Sequence, residues 1–129
     1  MPAERQTKQQ VAIERAITAS TRPLSPGEVL AHARRTSPTV SLATVYRTLK
    51  RLESEGAIAR VEIPGHPTRF ESHHAASTHH HHFLCRVCDR VFDIPGCAQG
   101  VESLAPVGFV VDSHEIVLFG TCERCGEVV

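Results

Sequence analysis

Ser41-Leu42-Ala43-Thr44-Val45-Tyr46-Arg47-Thr48-Leu49-Lys50-Arg51-Leu52-Glu53 is the most informative stretch of this 129-residue chain. Leu42, Val45, Leu49 and Leu52 recur at 3-4-3 spacing, the period of a helix with one buried face. Ala43, Thr44, Arg47, Lys50 and Arg51 then share the opposite face, with Tyr46 at its flank. Short side chains at the start let a helix enter a DNA major groove, and Arg and Lys farther along reach base edges and phosphates. A basic stripe is also what an ordinary solvated helix face looks like, so the neighbouring elements have to decide.

Upstream, residues 7–19 read as a helix with Val11, Ala12, Ala16 and Ile17 inward. Residues 21–24 break it. Ser25-Pro26-Gly27-Glu28 is a start signal: Ser25 caps, Pro26 suits the first turn and Glu28 completes a capping box. That helix runs to about Arg35, and residues 36–39 turn. Downstream, Gly56 ends the third helix, residues 57–63 alternate as a strand, 64–67 turn and 68–71 return. Three helices followed by a hairpin is the order of a winged helix-turn-helix. The hairpin is the wing, and its Arg60 and Arg69 are placed to meet phosphate.

The second half carries different chemistry. His79-His80-His81-His82-Phe83-Leu84-Cys85-Arg86-Val87-Cys88 puts four imidazoles and two thiols into ten residues. A second Cys-x-x-Cys pair, Cys122 and Cys125, closes the chain. Two such knuckles make a closed tetrahedral site of four thiolates, the structural form of zinc. The 33 residues between them exceed a simple zinc ribbon, so intervening strands must bring the pairs together. In a strand the histidines alternate, with His80 and His82 on one face and His79 and His81 on the other. Asp93 and His114 are candidate ligands from a distance. Imidazoles and carboxylates make a weaker, more open site than four thiolates, able to take iron(II), manganese(II), zinc or nickel, as a sensor requires. Short strands are expected over 81–84, 91–94, 108–112 and 115–119, with a short helix near 99–104, an α+β pattern. About 55 residues bury little core alone, which favours pairing with a second copy. Cys97 lies outside both knuckles and is expected to be a small buried apolar side chain rather than a redox group.

Composition is consistent with this division. The formal charge is zero overall, yet residues 1–70 hold eleven Lys or Arg against six Asp or Glu, and residues 71–129 hold three against eight. A basic half suits a polyanion and an acidic half suits cations. No apolar run is long enough for a membrane span, and residues 1–6 lack the apolar core of a signal peptide. A cytoplasmic protein is expected, where thiols stay reduced and paired Cys-x-x-Cys motifs mean metal rather than disulfides.

Residues 41–49, 79–88 and 122–125, in this order, resemble the recognition helix, metal motif and second knuckle of the ferric uptake regulator (Fur) superfamily. The resemblance covers nearly the whole chain. It implies a homodimeric, metal-dependent transcriptional repressor with a winged-helix DNA-binding domain (1–71), a hinge (72–78) and a C-terminal metal-binding α/β dimerisation domain (79–129). Its partner would be a double-stranded DNA operator, an AT-rich palindrome bound by the metal-loaded dimer. Matched residue by residue, His80, His82 and Asp93 correspond to the regulatory site, with Glu71 as its acidic ligand from the end of the wing. His79, His81 and His114 correspond to a second site, with Glu102 as the nearest carboxylate. Pro23 stands where many members have a histidine, and the hinge is about two residues longer and carries His73 or His74 as a replacement ligand. Zn(2+) is expected at the four cysteines. Fe(2+) or Mn(2+) is expected at the regulatory site, because no hinge cysteine is present to favour zinc there, although Zn(2+) remains an alternative. A zinc uptake regulator and a peroxide-responsive repressor are alternatives within the family, the latter because Asp93 matches the aspartate that peroxide sensors use. A metal-dependent enzyme using two histidines and a carboxylate is the competing class. It has no general base or Gly-rich phosphate loop here, and it leaves the basic helix unexplained. A zinc-stabilised adaptor that binds only protein is a third.

Overall fold

The computed structural model describes residues 7–126. The signal-peptide reading of residues 1–6 lies outside them, as do residues 127–129. The chain forms two compact units that divide between Thr78 and His79. Among the described residues no helix is long and apolar enough to cross a membrane.

The first unit is built on three capped helices. α1 (Lys8–Thr18) opens with a capping box in which Gln10 N–H donates to Thr7 Oγ1 at 3.1 Å and Thr7 N–H donates to Gln10 Oε1 at 2.9 Å. α2 (Pro26–Ala33) starts with the Ser25–Glu28 box expected from its sequence and ends two residues earlier than expected. α3 (Leu42–Ser54) is capped by Ser41, whose hydroxyl accepts the Thr44 N–H at 3.1 Å. Each box satisfies helix-end donors that burial would otherwise leave without partners. Gly56 stops α3 at φ +76°, a conformation that costs glycine little.

The helices enclose Ala12, Ile13, Ile17, Leu24, Val29, Ala33, Val40, Val45, Leu49 and Leu52, with Ile58 and Phe70 closing the core from the hairpin. Two inner-face assignments change. Ile13 is buried on α1, while Val11 and Ala16 are only partly so. On α3 the buried set is Val45, Thr48, Leu49 and Leu52, and Leu42 is 42 % exposed. The core-facing stripe is centred between the 3- and 4-residue rows, so Thr48 falls inside it and Leu42, one turn before the core begins, falls outside.

The wing is an antiparallel pair, β1 (Ile58–Val61) and β2 (Arg69–Ser72), in the register Ile58–Ser72 to Val61–Arg69. Leu24 bridges to Phe70 through two backbone bonds of 2.9 and 2.8 Å. The break between α1 and α2 therefore serves as a third partner of the wing. Within the stretch expected to be a hinge, His73–Ala76 form α4, capped by Ser72 and anchored where His73 N–H donates to the Ala57 carbonyl at 2.9 Å. A serine followed by residues with no helix breaker can form one turn wherever a backbone anchor is near.

The second unit is a three-stranded sheet of order β4-β3-β5. β3 (His80–Cys85) runs antiparallel to β4 (Val91–Pro95) and parallel to β5 (Val117–Gly120). The helix expected near 99–104 is a single 3-10 turn, Val101–Leu104. The strand expected over 108–112 is absent: those residues are exposed, with Phe109 and Val110 outward. Pro106 removes a donor and Gly108 sits at φ +88°, so the stretch joins no ladder among the described residues. A one-turn helix, α5 (Glu123–Gly126), follows β5.

The altered inner face of α3 has a measurable consequence. Leu49→Ala should cost about 2–5 kcal/mol of unfolding free energy. Leu42→Ala should stay within about 0.5 kcal/mol. Urea unfolding of the two variants separates these values; equal losses would place Leu42 in the core.

Candidate metal centres and recognition helix

Cys85 ends β3, and the chain turns at once, with Asp89 at φ +63° and its N–H donating to the Cys85 carbonyl at 2.8 Å. The parallel register sets Gly120 of β5 opposite Cys85, and Arg86 N–H donates to the Gly120 carbonyl at 2.8 Å. The second knuckle is thereby delivered beside the first. Gly120 packs closely on the Phe83 ring, where a Cβ would lie 3.2 Å away and the ring would have to give slightly. The four sulfurs of Cys85, Cys88, Cys122 and Cys125 lie within 4.8 Å of one another, and all five cysteines are free thiols. Cys88 Sγ is 3.9 Å from Cys122 Sγ. A tetrahedral zinc with bonds of about 2.3 Å has a sulfur–sulfur edge of roughly 3.8 Å, so the donor set fits that ion.

The electrostatics agree with this fit. N–H groups of Cys88 and Cys122 point at Cys85 Sγ at 3.5 and 3.3 Å, and such backbone donation pulls the Cys85 thiol down to about 6. Cys125 is pushed up to about 12, first because its thiol is held in a hydrogen bond to Cys122 and then by burial. Burial also raises Cys88. Four thiolates this close cannot all ionise without a cation among them, and a bound cation deprotonates thiols outright.

The histidine run separates onto two faces as strand geometry requires. On one, His80 Nε2 and His82 Nε2 stand 3.7 and 3.4 Å from Asp93 Oδ1, because the register places Asp93 of β4 directly opposite His82. Their ligating atoms fall within 4.8 Å of one another. On the other face, His79 and His81 meet His114, which precedes β5, and Cys97, which follows β4. His81 is buried, and its pKa is lowered by burial and then by the neighbouring imidazoles of His79 and His114, which keeps it neutral, the form that ligates.

Two expectations change here. Glu102 lies exposed on the 3-10 turn and is not among the converging side chains; Cys97 is. Cys97 is also exposed rather than a buried apolar residue. Its residue type signals a ligand, but nothing in its spacing from the knuckles says which imidazoles it meets. Glu71 lies on β2 in the first unit and is buried. His73 and His74 are exposed on α4 and belong to no converging group among the described residues.

On α3, Ala43, Tyr46, Arg47 and Lys50 form an exposed stripe, with Thr44 at its edge. Leu42 joins that stripe, as a result of the altered inner face. Arg47 Nη2 donates to Thr44 Oγ1 at 3.1 Å, which holds the guanidinium along the helix start. Arg51 pairs with Glu55 at 3.2 Å, an exchangeable i,i+4 partner. The wing arginines behave differently from expectation. Arg69 is 1 % exposed and donates to the Pro67 carbonyl at 2.9 Å, so it is a packing residue and not a phosphate contact. Arg60 is exposed, but its Nε donates to Glu53 at 2.6 Å and its Nη1 to Glu62 at 3.5 Å, so its charge is already matched. Alternation in a strand does not reveal that a neighbouring helix presents a carboxylate.

A winged-helix unit joined to a unit with three groups of metal-ligating side chains defines a metal-binding DNA-binding regulator. The model of the ferric uptake regulator family matches residues 3–119, and the chain belongs to that family. It is 32 % identical to the zinc uptake regulation protein of Mycobacterium tuberculosis over 94 % of each chain. It is 29 % identical to ferric uptake regulation protein 2 of Mycolicibacterium fortuitum, over 94 % of this chain and 85 % of that one. The solved structure of the Helicobacter pylori ferric uptake regulator Fur, described as having three functional metal binding sites, superposes with a TM-score of 0.69 at 26 % identity, covering 95 % of this chain and 83 % of that one. The protein is therefore a metal-responsive transcriptional repressor and not an enzyme, and regulators of this family bind DNA as dimers.

Cys88→Ser is expected to lose zinc from the four-cysteine site and, with it, most ordered structure in residues 79–126, read by metal counting and circular dichroism. Full zinc retention with an unchanged spectrum would show that the thiolates do not hold this unit. For the helix, Lys50→Ala should weaken DNA binding across sequences and reduce the salt slope by about 1. Arg69→Ala should instead lower unfolding stability; a salt-slope change for Arg69→Ala equal to that for Lys50→Ala would return Arg69 to the DNA face.

Proposed function

We propose that this repressor senses iron(II) or manganese(II) and controls metal-uptake genes, acting in the cytoplasm as a homodimer on an AT-rich palindromic operator. The observation that carries the choice of ion is the donor set of the His80 group. Two imidazoles and the Asp93 carboxylate, with no thiolate, form a nitrogen–oxygen site of the kind that suits these harder ions. Glu71, from the wing, is the proposed acidic ligand that completes it. His73 or His74, on α4, is a further candidate ligand from the first unit.

His80 and His82 occupy alternate positions of β3, so a strand paired on both edges fixes their spacing. Asp93, opposite His82, supplies the negative charge that a divalent ion requires. When bound, such an ion supplies a link between Glu71 and these strand ligands. It favours repression by the difference between its affinities for the DNA-competent and open arrangements. Arg47 and Lys50 bind phosphate and base edges, and the small side chains of Ala43 and Thr44 admit the helix to the groove.

A zinc-sensing reading is favoured by one observation, the 32 % identity to the Mycobacterium tuberculosis zinc uptake regulation protein. Anaerobic operator-selection binding, titrated separately with iron(II), manganese(II) and zinc, separates the two. A palindrome retained with iron or manganese, and lost at least about tenfold in His82→Ala, is the expected result, in line with the sensitivity of metal sites to changes at their ligands. Retention with zinc alone at very low free concentration would overturn the choice of ion. No metal-dependent retention would remove the His80 group from regulation.

A further inference from the structure

Cys97 is the one cysteine outside the four-sulfur site, and it is not isolated. Its Sγ stands 3.2 Å from His81 Nε2 and 3.0 Å from His114 Nε2. His79, His81 and His114 surround one point, with ring centroids 4.7, 5.0 and 5.1 Å apart. The four ligating atoms all lie within 4.8 Å of one another. Bonds of about 2.3 Å to sulfur and about 2.0 Å to nitrogen give a tetrahedral sulfur–nitrogen edge of roughly 3.5 Å, within half an ångström of the distances seen.

We propose that Cys97 is the thiolate ligand of a second metal site with His79, His81 and His114, and that this site takes zinc or a similar borderline divalent ion. Three imidazoles and one thiolate form a closed, tetrahedral set without a carboxylate, which disfavours manganese(II) and the alkaline-earth ions. Loading displaces the Cys97 thiol proton to solvent as the metal–sulfur bond forms. The Ile116 N–H, 3.2 Å from His81 Nδ1, steadies the ring in its metal-free tautomer. On loading, the His81 proton sits on Nδ1, Nε2 is freed to ligate, and that single contact is given up.

The site also has mechanical consequences. His79 comes from the residue just before β3, His81 from within it, Cys97 from the loop after β4, and His114 from the residues before β5. An ion held by all four closes the segment 98–113, whose Leu104, Val107, Phe109 and Val110 are exposed and which joins no strand ladder among the described residues. The site therefore anchors the least-packed stretch of the second unit. This does not depend on which ion the His80 group takes, or on operator binding.

The test uses the full-length reduced protein with zinc retained at the four cysteines and the His80 group disabled by His82→Ala. Cobalt(II) is titrated in while released zinc is counted. One cobalt per chain with a thiolate-to-cobalt charge-transfer band is expected, without zinc release. Cys97→Ser in the same background should abolish the band and weaken cobalt binding at least about tenfold, as changes around metal ligands do. Glu102→Gln should change neither. Amide exchange across residues 98–113 should slow on loading in the His82→Ala protein and not when Cys97→Ser is added. The proposal is overturned if the cobalt spectrum lacks a thiolate band, if Cys97→Ser leaves it unchanged, or if Glu102→Gln weakens binding as much as Cys97→Ser. Because Cys97 is exposed, its replacement leaves the core untouched, and the spectrum of the parent protein is informative by itself.

Discussion

Residues 79–126 have very little apolar interior: Leu84, Cys85 and Val91 are their buried apolar side chains, and one of these three is itself a ligand. A sheet of three short strands with so small a core does not hold together by burial alone. Convergence of the four sulfurs supplies the missing cohesion, because zinc binding free energy in such a unit is folding free energy. Cys85 ends β3 beside Cys122, just past β5, in the parallel register that sets His82 against Val117, while the antiparallel pairing with β4 sets His82 opposite Asp93. The His80 group and the four-cysteine site are thus built at the two ends of one strand.

The first unit follows the opposite economy. Its helices are capped, its core is continuous and aliphatic, and the link at Leu24 ties the wing to the helices by backbone bonds. A rigid three-helix frame lets α3 present Leu42, Ala43, Tyr46, Arg47 and Lys50 outward without strain. Carboxylates near the exposed arginines trim the basic surface: Glu53 and Glu62 neutralise Arg60, and Glu55 pairs with Arg51. Arg47 and Lys50 stay exposed on α3, alongside Lys8, Arg15, Arg34 and Arg35 on the other helices and their ends.

Ligand softness grades the three groups. Four thiolates form the tightest and least exchangeable set, two imidazoles with a carboxylate the hardest and most open, and three imidazoles with a thiolate lie between. Strand alternation is what keeps the last two apart, since neighbouring histidines on β3 face opposite sides. One six-residue strand thereby serves chemically distinct sites.

Much of this was legible in the sequence because it is encoded by short-range rules. Helix caps at Ser25 and Ser41, the stop at Gly56, the histidine alternation and both cysteine knuckles follow from residue type and local period, which neighbours in the chain enforce by themselves. The inner edge of α3 was misplaced by one turn, since a 3-4-3 pattern fits two adjacent faces and only packing against α1 and α2 selects the one that buries Thr48. Arg69 and Arg60 read alike as basic wing residues, yet one is enclosed and the other matched to Glu53, partners that approach from separate elements. Glu102 and Cys97 were both within reach in the chain, and the loop after β4 brings in only Cys97. The sequence by itself determined the fold class, the capped helices and the ligand types, because these depend on contacts a few residues apart. The tertiary structure alone decided which face is buried, which arginine is free to meet DNA and which thiol joins which imidazoles, because those depend on long-range register that no local pattern contains.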